Sequence, residues 1–244
     1  MTSIHSSYQE AELLERFAVS EGIIGLRLNV PTWPGHVPGQ HLELSLTAPT
    51  GERAKRDYSI VAPPSALTKL ELGVAVVPDG EVSSYLVRMP LGEKFEVRGP
   101  LGRHFIWTRE TEGPLWLFGG GSGMTPLMSM LRHWREAPDQ REIVIAVSAR
   151  TNANIPYRAE LESFAADFPN INLVVAVTQE APTNPEWLAE RFSKDTLASH
   201  LPSPTANTAA YVCGRDGFVE GVAKTLLALG LSPQAIRTER FGES

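Results

Sequence analysis

The chain has 244 residues, 42% hydrophobic and 20% charged, which suits one large globular domain or two small ones around a sizeable core. A net charge of −6 without a long basic run disfavours nucleic acid and membrane surfaces as partners. One cysteine, Cys213, excludes an internal disulfide, a four-thiolate iron–sulfur cluster and a multi-cysteine zinc site. Six scattered histidines form no H-x-x-x-H pair, so no metal is expected. The opening MTSIHSSYQEAELLERF lacks a basic segment followed by an apolar one, and no stretch approaches the ~18 apolar residues of a membrane span, so a cytoplasmic protein is expected.

In chain order, LLERFAVS and IIGLRLNV read as neighbouring strands, and HLELSLT alternates strictly. RAKRDYSIV, KLELGVAVV and KFEVRG follow, separated by PTWPGHVPGQ, APTGE, PPS, PDGE and RGPLG. Short strands punctuated by turns predict an antiparallel barrel or sandwich, with one short helix at SSYLVRM. From Leu115 the rhythm changes. PLWLF, EIVIAVS, INLVVAVTQ and TAAYVCG are continuous apolar strands, and TPLMSMLRHWRE, PYRAELESFAADF and DGFVEGVAKTLLALG are helices between and after them. Thr125 is the expected N-cap of the first, Pro126 its N1 residue, and Gly230 the stop of the last. That alternation predicts a parallel sheet covered on both faces. The chain therefore divides at the polar segment TRETEGP, into residues 1–110 and 111–244.

The segment GGGSGMTP, residues 119–126, lies between a strand and a helix. A helix start presents free N–H groups, and glycines let a pyrophosphate approach them. Gly120, Gly121, Ser122, Gly123, Met124, Thr125 and Pro126 are the candidate dinucleotide loop. Pro126 stands where the usual G-x-G-x-x-G fingerprint has its third glycine. At the end of the next strand, Ser148 and Arg150, with Arg158 beyond, are placed for an adenosine ribose. No acidic residue ends that strand, and two arginines favour a 2′-phosphate, so the reading leans to NADPH over NADH.

Five ordered motifs, R-x-Y-S (56–59), G-x-x-S (80–83), G-P-x-G (99–102), G-x-G-x-x-P (121–126) and C-G (213–214), resemble the ferredoxin–NADP reductase superfamily from about residue 10 to 242. The resemblance implies an N-terminal Greek-key β-barrel that binds FAD rather than FMN, followed by an α/β domain that binds NADPH or NADH. It implies that Arg56 pairs with a flavin phosphate, Tyr58 stacks on the isoalloxazine and Ser59 lies near its N5, with Asp57, Val74 and Val76 also in contact. Gly80, Val82, Ser83 and Ser84 offer backbone N–H groups to the pyrophosphate, and Ser83 doubles as a helix N-cap. Cys213, with Gly214, Arg215 and Asp216, borders the nicotinamide, while Glu239 and Phe241 lie near the flavin ring. Ser59, Cys213 and Glu239 are the candidate catalytic residues.

The implied activity is an NAD(P)H-dependent flavoprotein reductase. It sends single electrons to a separate acceptor, a ferredoxin-like iron–sulfur protein or an oxygenase component, and acts as a monomer. A flavin reductase that releases diffusible flavin, and a nucleotide-sensing subunit without turnover, are the alternatives.

Overall fold

The computed structural model describes residues 7–47 and 51–241. Among these residues two compact units emerge, one of 7–47 and 51–108 with 128–137, the other of 109–127 with 138–241.

The first unit is built on six antiparallel strands. They are β1 (Gln9–Ser20), β2 (Ile23–Asn29), β3 (His41–Thr47), β4 (Arg53–Ser59), β5 (Lys69–Ala75) and β6 (Lys94–Leu101). Their order is β4-β3-β6-β1-β2-β5, and an Ile60–Leu72 bridge brings the two ends together. β2 pairs with β1 and β5 but not with β3, a Greek-key order. The alternation in HLELSLT is what makes β3 a wall. Leu42 and Leu44 are fully buried, while His41 and Glu43 face outward. Leu13, Leu26, Leu28, Leu70, Leu72 and Val97 complete the core, and helix α1 (Glu81–Arg88) adds Val82 and Leu86 to it. The helix expected at SSYLVRM thus begins two residues earlier, directly after Gly80.

The second unit is a parallel sheet, β7 (Leu115–Gly120), β8 (Ile143–Ala149), β9 (Ile171–Val177), β10 (Ala209–Gly214) and β11 (Ile236–Arg240), in the order β11-β10-β7-β8-β9. Helix α2 (Met124–Arg135) begins in this unit and passes at residue 128 into the first, while α3 (Arg158–Asp167), α4 (Lys194–His200) and α5 (Asp216–Ala228) belong to the second. Residues 115–118 and 143–147 are buried throughout, as continuous apolar strands between two layers must be. α5 stops as its sequence predicts. Gly230 takes a φ of 98°, and the N–H groups of Gly230 and Leu231 donate to Leu227 and Leu226, satisfying the last carbonyls.

Three local expectations are corrected. Thr125 is not an N-cap: a 3₁₀ turn at Gly121–Gly123 runs straight into α2, and Thr125 is its second residue. Its Oγ1 instead donates to the Ser122 carbonyl at 2.5 Å, the acceptor that an ordinary residue at 126 would serve with its N–H and that proline cannot. The capping-box helix α4, closed by Ser193 and Thr196, was not anticipated. Nor was β11, an edge strand in parallel register with β10.

Candidate cofactor sites

In the first unit, period-two alternation along β4 separates two sets of side chains. Arg53 and Lys55 face outward, where they meet Glu96 at 2.7 Å and Glu43 at 3.8 Å and surround the Tyr8 ring. Arg56 and Tyr58 take the other face. Arg56 is exposed; its Nη1 donates to the Lys55 carbonyl at 2.8 Å, and no carboxylate among the described residues pairs with it. Tyr58 is half-buried against the barrel core, and burial pushes its hydroxyl up to about 12, a shift that the Arg56 charge moderates. It is therefore a neutral ring at working pH. Ser59 ends the strand, 6% exposed. Because β4 meets β5 only at the Ile60–Leu72 bridge, the edge of β4 that carries these residues is open for backbone hydrogen bonds.

Helix α1 packs beside β4. Gly80 is its N-cap, and a Cβ there would lie 2.7 Å from Ser83 Oγ and 3.0 Å from Val77. Ser83 Oγ accepts the Val77 N–H at 3.2 Å, folding the 77–80 loop under the helix start. The N–H groups of the first turn are left without intrahelical acceptors. An unpaired guanidinium, a half-buried aromatic ring, an open strand edge and a glycine-capped helix start fit a phosphate-bearing planar ligand such as a flavin nucleotide.

In the second unit the strand order reverses between β7 and β10, the switch point beyond whose carboxyl ends open parallel sheets bind ligands in a crevice. Its walls are backbone. A Cβ on Gly123 would lie 2.0 Å from the Cys213 carbonyl oxygen, and one on Gly119 would lie 2.2 Å from Met124 Sδ. Cβ atoms on Gly120 and on Gly214 would each meet the Phe218 ring at 2.9 Å. Cys213 is fully buried, and burial above all, then the Glu239 charge in register beside it, holds its thiol well above the ordinary value. It is a neutral packing group. β11 carries Glu239 and delivers Phe241, whose N–H donates to the Gly214 carbonyl at 3.0 Å. Arg215 is the exposed N-cap of α5, and Asp216 faces Arg240 at 3.5 Å. These glycines fit a pyrophosphate that must lie against bare backbone at a helix start.

Comparison with known proteins gives these two units their kinship. The family model of an oxidoreductase FAD-binding domain matches residues 10–106, and that of an oxidoreductase NAD-binding domain matches residues 117–224. The chain belongs to the ferredoxin–NADP reductase superfamily. The reductase component DmpP of phenol 2-monooxygenase from Pseudomonas sp. (strain CF600) is 31% identical over 226 residues, 91% of this chain and 62% of that one. Among solved structures, the Amycolatopsis cytochrome P450 reductase GcoB is 25% identical with a TM-score of 0.83, over 96% of this chain and 70% of that one. A ferredoxin NADP+ reductase from Neisseria gonorrhoeae, solved with bound FAD and NADP, shares the fold at 21% identity and a TM-score of 0.80, over 96% of this chain and 99% of that one. The chain spans 60% to 65% of the length of the oxygenase-system relatives it matches.

Within this superfamily member, several expected contacts are rearranged. Val74 is fully buried in the barrel, paired with Ile24, so its side chain is part of the core and not of a ligand surface. Val76 is half-buried just past β5. Val82 and Ser83 point inward, leaving only their backbone for a pyrophosphate, and Gly80 rather than Ser83 is the N-cap. Asp57 is exposed on the outer face with Lys55. Ser148 and Arg150 end β8 as expected, and Arg150 is exposed with no ion pair among the described residues. Arg158 opens α3, where it meets Glu162 at 2.9 Å and lies 4.6 Å over the Trp187 ring.

Two residues were missed. Glu180, just past β9, accepts the Asn152 backbone N–H and Nδ2 at 2.6 Å each, which holds its carboxyl below the usual range and ties the loops after β8 and β9 together. A carboxylate at a strand's carboxyl end was the available signal. Phe218 gave none, because its role depends on two glycines distant in sequence.

Proposed function

We propose that this chain is an NAD(P)H-dependent flavoprotein reductase that delivers electrons to a separate protein acceptor. The observation that carries the reading is the pairing, in one chain, of the Arg56–Tyr58–α1 cradle in an FAD-binding domain with the glycine-walled crevice in an NAD-binding domain. Bound FAD supplies hydride acceptance from nicotinamide and release of electrons one at a time. Arg56 holds a phosphate by charge-assisted hydrogen bonds, and the first turn of α1 adds backbone donors. Tyr58 offers a flat, neutral surface to the ring system, and Ser59 a short polar side chain next to it. Gly120, Gly121, Gly123 and Gly214 admit the pyrophosphate of the nicotinamide nucleotide, and Ser148 and Arg150 take its adenosine end. Cys213 packs without forming a thiolate, since direct hydride transfer needs none.

In this reading the acceptor is an iron–sulfur protein or an oxygenase component; the one cysteine of these 244 residues cannot itself hold a cluster with four thiolates. The relatives named as reductase components of oxygenase systems support that class. FAD rather than FMN, a monomer and a cytoplasmic setting complete the reading; no helix among the described residues is long and apolar enough to cross a membrane. The test is the absorbance spectrum of the purified protein before and after anaerobic NADPH or NADH, then cytochrome c reduction with and without added ferredoxin. Bound flavin bleached by nicotinamide, with reduction stimulated by ferredoxin, is expected. A colourless chain that takes up no FAD overturns the reading.

A further inference from the structure

The loop between β2 and β3 holds a buried histidine, His36, whose two ring nitrogens are both engaged. Nδ1 faces Trp33 Nε1 at 3.3 Å, and an indole N–H can only donate, so Nδ1 is an acceptor. The proton therefore sits on Nε2, which donates to the Ala62 carbonyl at 2.9 Å. The same carbonyl takes a second hydrogen bond from Ser129 Oγ at 2.9 Å. Four residues on, the Gln40 carbonyl accepts the Ile60 N–H at 3.0 Å. Gln40 also braces the loop, its Oε1 accepting from Val37 N–H at 2.8 Å and its Nε2 donating to Gly102 at 2.9 Å. One loop thus grips residues 60 and 62 at two points. Between them Ile60 bridges Leu72 and the Val61 N–H donates to the Glu71 carbonyl at 2.8 Å, so this is where the chain leaves β4 and crosses to β5.

Resting on the flavin reading above, we propose that His36 is a positioning residue for the flavin: as a neutral imidazole it fixes the turn that follows Tyr58 and Ser59, and a proton on Nδ1 loosens that grip. A protonated ring would set Nδ1–H against Trp33 Nε1–H, two donors facing each other out of reach of water. Burial keeps His36 below its ordinary 6.5, the Ala62 hydrogen bond opposes this, and His133 of α2 adds to the lowering. His133 itself meets Glu136 at 3.0 Å, and Arg132 beside it is held by Glu71 of β5 at 2.9 Å. Because the native value is lowered, the contribution of the grip is complete above pH 6.5. It is lost as pH falls toward the lowered value, where the released state takes up the proton first.

The experiment is release of FAD from the full chain, followed by flavin fluorescence between about pH 8 and pH 5, where histidines titrate. The parent is expected to hold FAD about tenfold more weakly at the acid end. His36→Gln keeps a donor for Ala62 but cannot titrate, and its profile is expected to be flat. Trp33→Phe removes the donor opposite Nδ1, so that nitrogen can take up a proton without a clash, and the acid release of this variant is expected to be smaller than the parent's. A His36→Gln profile that follows the parent's overturns the proposal. If His36→Gln does not fold, a Trp33→Phe variant that releases FAD at acid pH as fully as the parent overturns it equally. A parent that retains no FAD even near pH 8 is a separate failure, of the flavin reading itself, and removes the proposal with it.

Discussion

The two cofactor sites are built from opposite materials. In the barrel, the recognition proposed above rests on side chains of β4, Arg56 and Tyr58, with α1 as backbone support. In the α/β unit it rests on the absence of side chains, since Gly119, Gly120, Gly123 and Gly214 each have a neighbour where a Cβ would go. The first kind of site loses affinity by degrees when a residue changes. The second fails by collision, because the obstructing atom at Gly123 is backbone and cannot step aside.

The largest effect expected from that contrast is at Gly123. Gly123→Ala puts a methyl 2.0 Å from the Cys213 carbonyl oxygen, and overpacking of this kind costs about 3 kcal/mol. The thermal midpoint should fall by roughly 10 °C, measured by calorimetry on the apo chain. An unchanged midpoint would show that the crevice yields, and the contrast would break there. Next is Arg56→Ala, which removes a charge-assisted contact worth about 1.5–3 kcal/mol. FAD should bind ten- to a hundredfold more weakly by fluorescence titration, with the midpoint of the apo chain nearly unmoved. A variant that keeps FAD as firmly as the parent removes Arg56 from the phosphate.

Smaller still is the effect of Arg150→Ala. With Arg158 tied to Glu162 and Trp187, Arg150 is the one arginine of the pair left for a 2′-phosphate. Steady-state kinetics should show kcat/KM for NADPH down about tenfold, on the order of 1.4 kcal/mol, with NADH little changed. Equal losses would assign Arg150 to a group that both coenzymes share. The smallest effect sits at Tyr58. Its value is raised from 10 to about 12, so its stabilising contribution is present below pH 10 and lost as pH rises toward 12. Tyr58→Phe should bind FAD within a few-fold of the parent at neutral pH and lack the alkaline fall in stability above pH 10, followed by chemical denaturation. The same alkaline fall in both proteins would place the titration elsewhere.

How much of this was legible in the sequence follows the same divide. β3 was readable through Leu42 and Leu44, because strict alternation faces a core in one way, although the pattern breaks at the buried Ser45, and the α/β strands were readable because burial on both faces leaves continuous apolar runs. Arg56 and Tyr58 were visible only through the family resemblance carried by R-x-Y-S together with the four other motifs; by itself the strand is an ordinary polar one. What the sequence concealed are matters of register and contact over distance. IRTER has no strand-like pattern of its own, and it becomes β11 only because β10 offers an edge. Val74 looked like a ligand contact until its place in the β2–β5 ladder turned it into the core. Arg158 carried a free charge in the sequence and an occupied one in the fold, because its partners Glu162 and Trp187 lie a turn and a loop away.

The hydroxyl of Thr125 and the ring of Pro126 answer a single vacancy, the carbonyl of Ser122. They should therefore be inherited as one unit. A descendant that replaces Pro126 by a residue with an N–H can spare the hydroxyl, whereas one that loses the hydroxyl first leaves the Ser122 carbonyl with the Met124 N–H alone. The order in which the two substitutions arise, and not either alone, decides whether the lineage passes through a weakened intermediate.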